Sequence, residues 1–190
     1  MDNDSFMEID KVGNIFWRNK KGEFHRLDGP ACEHWGGNKY WYQNGLLHRL
    51  DGPAKEFQSG KKEWYKNGEL HRLDGPAEQW SNGDEFWHKD GRLHRLDGPA
   101  FNLISGTKHW YQNGIRHRLD GPAIELSNGT KHWYQNGKLH RLYGPAIELS
   151  NGENQWCKNG KKFKSKDTFF RSLSKKEKEA ALFSEDFMNG

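Results

Sequence analysis

Seven residues, HRLDGPA, begin at His25 and recur at His48, His71, His94 and His117; a sixth copy at His140 reads HRLYGPA. The interval is 23 residues each time. Fixed-period self-similarity restricts the fold more than any other feature of the chain. Each copy is one supersecondary unit that cannot bury an apolar face alone, so neighbours must stack. A full copy, residues 117–139, holds two Asn-Gly pairs, Asn128-Gly129 and Asn136-Gly137. Asn-Gly between β-prone runs predicts a hairpin, because both residues tolerate the positive φ of a type I′ turn. The first turn recurs at Gly60, Gly83, Gly106 and Gly152, the second at Gly45, Gly68, Gly91, Gly114 and Gly160. A short strand over 130–135 lies between the turns. A longer segment over 138–150 follows, with Gly-Pro in its middle, where the missing N–H marks a bend or an edge. Each unit therefore reads as two antiparallel strands kinked at Asp-Gly-Pro, and six units as a meander.

Apolar columns run through the copies. Trp stands at 41, 64, 87, 110, 133 and 156, Leu at 27, 50, 73, 96, 119 and 142, and Ala at 31, 54, 77, 100, 123 and 146. A fourth column is Phe57, Trp80, Leu103, Leu126 and Leu149, with His34 in the first unit. Stacked copies turn these into ladders of like side chains, a continuous buried seam. Tyr42, Tyr65, Tyr111 and Tyr134 follow the Trp column and are expected on the opposite, exposed face.

Composition agrees with a thin fold. Apolar residues make up 33% of the chain, yet 14% is aromatic, with nine Trp. A disordered chain lacks such aromatics, and a domain with one central core carries more aliphatic residues. The N-terminus MDNDSFMEID is acidic and has no apolar run, and no segment approaches the ~18 apolar residues of a spanning helix. A soluble, cytoplasmic protein is expected. Residues 1–160 carry 22 basic and 21 acidic side chains, so the repeat body is nearly neutral; a dedicated nucleic-acid binder shows a basic excess.

The expected architecture is all-β: an elongated antiparallel β-hairpin repeat array with a small α-helical C-terminal cap. Residues 1–24 read as a degenerate half-repeat, 25–162 as six repeats and 163–190 as the cap. In the half-repeat, Trp17 stands eight residues before His25 instead of seven, which a one-residue bulge or a looser cap accommodates. In the cap, helices are expected near 167–172 and 175–183, the second opened by the capping box Ser174/Glu177. Phe163, Phe169, Phe170, Leu173, Leu182 and Phe183 would cover the last repeat. Cys32 and Cys157 lie five repeats apart, roughly 48 Å in a straight array of paired strands, whereas a disulfide needs Cα atoms within about 7 Å. Two free thiols are expected.

The Trp110–Gly114 and Trp133–Gly137 runs, with a His three positions after each Gly, resemble MORN-type repeats over about residues 14–160. MORN repeats usually have Gly after that His, where this chain has Arg-Leu-Asp-Gly-Pro-Ala. The HRxDGPA form is similar to arrays in large phages, giant viruses and some bacteria. The resemblance implies a platform for protein partners or self-association, in some cases for phospholipids, and, for a viral source, a factor acting on a host or defence component in the host cytoplasm.

Two readings of HRLDGPA stand side by side. In the first it is a joint: Asp caps the turn, Arg pairs with that Asp or with the Asp of the next unit, and His donates to a carbonyl in the kink. In the second it is a comb that grips an anionic ligand, a nucleotide or nucleic acid, through Arg49, Arg72, Arg95, Arg118 and Arg141 with His48, His71, His94, His117 and His140. Tyr143 in place of Asp marks the sixth copy as different. The exposed Tyr column, Tyr42, Tyr65, Tyr111 and Tyr134, is a candidate protein-binding face. Six equal copies are not how enzymes place unlike groups in one pocket, so no catalytic residue, cofactor or metal site is assigned. The run 161–166 reads as a solvated linker or, as a third reading, a lipid-headgroup patch; membrane binding is the least favoured. A non-enzymatic scaffold that docks a protein partner is the expected function.

Overall fold

The structure, a computed structural model, describes residues 5–182 and, of Leu182, the backbone. The chain forms two compact units, Met1–His94 and Arg95–Gly190. It is mostly β, with fifteen strands in antiparallel meander order. The first unit contributes Ser5–Ile9, Ile15–Asn19, Cys32–Glu33, Lys39–Tyr40, Lys55–Glu56, Lys62–Glu63, Glu78–Gln79 and Glu85–Phe86. The second contributes Phe101–Asn102, Lys108–His109, Ile124–Glu125, Lys131–His132, Ile147–Glu148, Asn154–Lys158 and Lys161–Phe163. Two helices close the described chain, α1 (Lys166–Arg171) and α2 (Lys175–Leu182).

The units are more finely divided than two strands each. Between turns, the chain leaves the meander at Trp41, Trp64, Trp87, Trp110 and Trp133 and enters a separate two-stranded hairpin, as in Tyr65–Lys66 with Glu69–Leu70, whereas Trp156 lies within one continuous strand. The Trp backbone makes this change possible by bonding in both directions. The Trp64 N–H donates to the Ala77 carbonyl at 2.7 Å, while its carbonyl accepts from His71 N–H at 3.0 Å. The same pair of bonds occurs at Trp41 and at Trp133. Consecutive hairpins are linked as well, Gly68 N–H donating to Leu47 O at 2.8 Å and Gly137 N–H to Arg116 O at 2.9 Å.

The two turns of a unit also differ from each other. In the hairpin turn both residues have positive φ, 50° at Asn136 and 76° at Gly137, the type I′ geometry. In the meander turn only the glycine does: Gly129 is at 90°, while Asn128 instead accepts the Thr130 N–H on its side-chain oxygen. That is a three-residue loop with one left-handed position, so expecting type I′ at both turns was half right. The N-terminal half-unit uses the same device. Gly22 alone is left-handed in the loop after Ile15–Asn19, and the longer loop absorbs the extra residue before His25 without a bulge inside a strand. Sequence reading did not foresee Ser5–Ile9, which pairs in full register with Ile15–Asn19.

Strand register sorts the side chains of the meander. One face of the first unit carries Glu33, Lys39, Glu56 and Lys62 as successive cross-strand neighbours. The second unit repeats the device with Lys108, Glu125, Lys131 and Glu148. Alternating charge across strands is favourable and keeps that face wet. The core is narrow. The Ala column, 31 to 146, has no exposed surface, because the Trp N–H and the tight Gly-Pro-Ala step bring two backbones together there. The leucine column is not in the core: Leu27, Leu50, Leu73, Leu96 and Leu119 are 60–78% exposed. Of the fourth column, Trp80 and Leu149 are also exposed.

The cap holds a cluster of buried side chains, Trp156, Phe169, Leu173 and Ala181, with Leu142, Phe163 and Phe170 packed against it. The capping box at Ser174/Glu177 is present, and Glu177 also receives Lys158 Nζ at 2.7 Å. A second box, Ser165 with Thr168, opens α1 and was not legible as Ser/Thr-x-x-Glu. Residues 161–163 are not a linker but the last strand, paired with Trp156–Lys158. Phe183 and the Leu182 side chain, expected in the cap, lie outside the described residues.

Candidate functional site: the Arg-Leu-Asp-Gly-Pro-Ala joint

The joint is built around its arginine. Arg49 stacks on Trp41, its guanidinium carbon 4.1 Å from the ring centroid. Its Nε donates to Asp51 at 2.9 Å, and one terminal nitrogen donates both to the Pro53 carbonyl at 3.2 Å and to Glu56 at 3.1 Å. Arg118 repeats every one of these contacts on Trp110, Asp120, Pro122 and Glu125. Arg72 stacks on Trp64 and bonds Asp74 and the Pro76 carbonyl. Arg95 bonds Asp97 at 2.9 Å. Arg141, where Tyr143 replaces Asp, keeps Trp133, the Pro145 carbonyl and Glu148. These arginine side chains are only 14–23% exposed. The ion pair forms within one copy, to the Asp two residues on, rather than to the next unit. The arginines hold the carboxyls of Asp28, Asp51, Asp74, Asp97 and Asp120 below the usual aspartate range by hydrogen bonding.

The glycine of Asp-Gly-Pro follows from the arginine. Its φ lies outside the left-handed region, so backbone freedom is not the reason for it. A Cβ at Gly52, Gly75 or Gly121 would sit 2.6–2.8 Å from the guanidinium carbon of the same copy. The space above the glycine is the slot in which the arginine lies.

The histidine works along its copy, 19 residues on, and not within the kink. Nδ1 of His48 accepts the Asn67 N–H at 3.2 Å and faces the Asn67 side-chain amide at 2.8 Å. His117 with Asn136 and His140 with Asn159 repeat this. Nδ1 of His71 makes the same pair of contacts with Asp90, accepting its N–H at 3.2 Å and facing its carboxylate at 2.8 Å. Each of these histidines thus latches the hairpin turn at the far end of its own copy. His94 has its own contacts and stands at the end of the first unit.

The tyrosine column is half-buried, not exposed. Tyr42 packs on Phe24 at 5.3 Å. Tyr65 donates its hydroxyl to the buried Glu63 at 3.1 Å, and Glu63 also receives Lys55 and Lys61; burial and that carboxylate push the Tyr65 phenol well above its ordinary range. In the second unit Arg116 lies over both Tyr111 and Tyr134 and bonds the Tyr111 hydroxyl at 3.1 Å. The tyrosines face the same side as His109 and His132, two residues before them, and ring contacts join the pairs.

What is left on the surface is the leucine. Between Arg49 and Asp51 the chain points Leu50 into solvent, 78% exposed. A shallow groove joins it to Leu73, with Trp64, Lys66 and His71 along its walls. In the second unit an equivalent groove runs between Leu119 and Leu142, with Trp133 and Tyr143. Sequence reading placed these leucines in the seam. The signal against that is local: each is a single apolar residue between Arg and Asp, just before a bend that resets strand alternation.

Among the described residues, no three His, Cys, Asp or Glu side chains converge to hold a metal ion, and no helix is long and apolar enough to cross a membrane. Both cysteines are free and buried. Compared with known proteins, the chain matches no family model and no curated protein.

Proposed function

We propose that this chain is a non-enzymatic binding protein that docks a protein partner along the leucine edge of its HRLDGPA copies. The observation that carries the reading is the exposure of the same leucine in five copies, 60–78% in each. A single exposed leucine is ordinary, but one that recurs at the same position of successive copies within each unit contributes little to the fold that displays it. The neighbouring arginines are committed to Trp, Asp and a carbonyl, so gripping an anion would mean breaking the joint. That makes the anionic-ligand alternative the weaker one. The partner is a protein because apolar side chains on a rigid sheet edge suit a desolvated contact with another apolar surface. A MORN-like platform role and, for a viral source, a host partner fit the same reading.

The test is affinity capture of the tagged chain from its own cells, with a nuclease-treated parallel. The wild type is compared with Leu50→Ser/Leu73→Ser and with Arg72→Ala. A stoichiometric protein that survives nuclease and is lost with the leucine pair is expected. Recovery that ignores the leucines, or consists only of nuclease-sensitive material, would refute the reading.

A further inference from the structure

We infer that the occupant of the leucine row is a basic amphipathic α-helix, with apolar anchors over the leucines and Lys or Arg beside the aspartates. The inference rests on the leucine-edge reading above and adds the partner's chemistry. Three observations carry it.

The first is that the chain itself covers one copy of the row. Leu142 is half-buried and packs against the cap cluster of Trp156, Phe169 and Leu173, with Phe163 and Phe170 beside it. Phe169 and Phe170 belong to α1. A helix carrying aromatic side chains is therefore a surface that this position accepts.

The second is charge. The covered copy is also the copy in which Asp is replaced, by Tyr143. Tyr143 stays on the surface there, so the cap covers the leucine of that copy with no carboxylate beside it. The open copies keep Asp28, Asp51, Asp74, Asp97 and Asp120, whose side chains are 57–85% exposed. An occupant of those copies covers a leucine and at the same time meets a carboxylate. Cations at its flanks satisfy both conditions. In the first groove the carboxylates of Asp51 and Asp74 lie outermost, 84–85% exposed over arginines that are 22–23% exposed, and Lys66 sits opposite Glu69 in its hairpin.

The third is spacing. Consecutive copies within a unit are separated by two meander strands, about 9.6 Å at the usual strand spacing. A helix advances 1.5 Å per residue, so roughly one anchor every six to seven residues keeps pace with the leucines. In the first unit, Leu27, Leu50 and Leu73 match a helix of about two heptads.

The probe is a 15-residue lactam-stapled peptide with Phe at positions 1, 8 and 15, flanked by Lys, on an Ala/Gln background. A second peptide has Glu in place of each Lys. Binding to the full chain is read by fluorescence anisotropy at low and at physiological salt. The Lys peptide is expected to bind at least tenfold tighter than the Glu peptide. Its affinity should fall at least tenfold for Leu50→Ser/Leu73→Ser and severalfold for Asp51→Asn/Asp74→Asn. Circular dichroism of both variants guards against loss of fold, since the altered side chains are exposed. Equal binding of the two peptides, or Lys-peptide binding that ignores the leucine pair, overturns the inference. The capture experiment separates this failure from failure of the broader reading. A captured, leucine-dependent protein that cross-links to the row through something other than a basic helix sinks the inference and leaves the docking edge standing; no leucine-dependent protein at all sinks both.

Discussion

Replacing Gly75 by alanine probes the joint at its tightest point. Gly75 is buried and its φ is not left-handed, so alanine is permitted by the backbone. At a roomy site such a change stabilises by about 0.4–1 kcal/mol through the unfolded chain. Here the new Cβ would lie 2.6 Å from the guanidinium carbon of Arg72 and 2.8 Å from Nε. Arg72 must leave its slot, giving up the Trp64 ring at 4.2 Å and the Pro76 carbonyl at 3.4 Å. Stacking of this kind contributes about 0.5–2 kcal/mol. A carbonyl left without its donor costs about 1–3 kcal/mol. After the unfolded-state gain, Gly75→Ala is expected to destabilise by about 1–4 kcal/mol. The decisive arm is the double mutant. With Arg72→Ala the slot is empty, and Gly75→Ala should then be neutral or slightly stabilising. Urea unfolding of the four proteins, followed by circular dichroism, closes the cycle. If Gly75→Ala costs the same in both backgrounds, the glycine is there for its backbone, and the slot explanation is wrong.

Burial holds His88, His109 and His132 below the ordinary histidine range, with Arg116 adding to the effect at the last two. The unfolded chain therefore binds more protons near pH 6, and stability should be complete above about pH 7 and decline as the pH falls towards 5; a melting temperature that is flat or rises on acidification contradicts this. Burial pushes the Cys32 thiol up to about 11, so the native chain at pH 8 should react slowly with Ellman's reagent, and two thiols should titrate in non-reducing urea; fewer than two would mean a disulfide. Phe169→Ala removes the largest fully buried side chain and should cost about 3–5 kcal/mol, unmooring α1 and shifting the emission of Trp156, 5.1 Å away; a loss under about 1 kcal/mol would mean that the cap does not close the last repeat.

Periodicity and turn chemistry alone settle the β class, the number of copies, both turn positions and the helical cap, because these depend on local preferences that every copy restates. Asn136-Gly137 makes the same turn wherever it occurs, and Ser174 caps with Glu177 whatever lies beyond. That Arg pairs with an Asp was legible too, but sequence left open which Asp, and the structure chose the one two residues on. Which way a side chain faces was not legible. Strand alternation predicts faces only while a strand continues, and from Cys32 to Glu148 each strand lasts two residues before the chain turns or bends. The leucine was thus read as core and the tyrosine as surface, while folding half-buries the tyrosine and turns the leucine outward. The histidine bond to Asn or Asp spans 19 residues, and the need for glycine beneath the arginine comes from a slot that exists only once the Trp of the preceding copy has folded back under it.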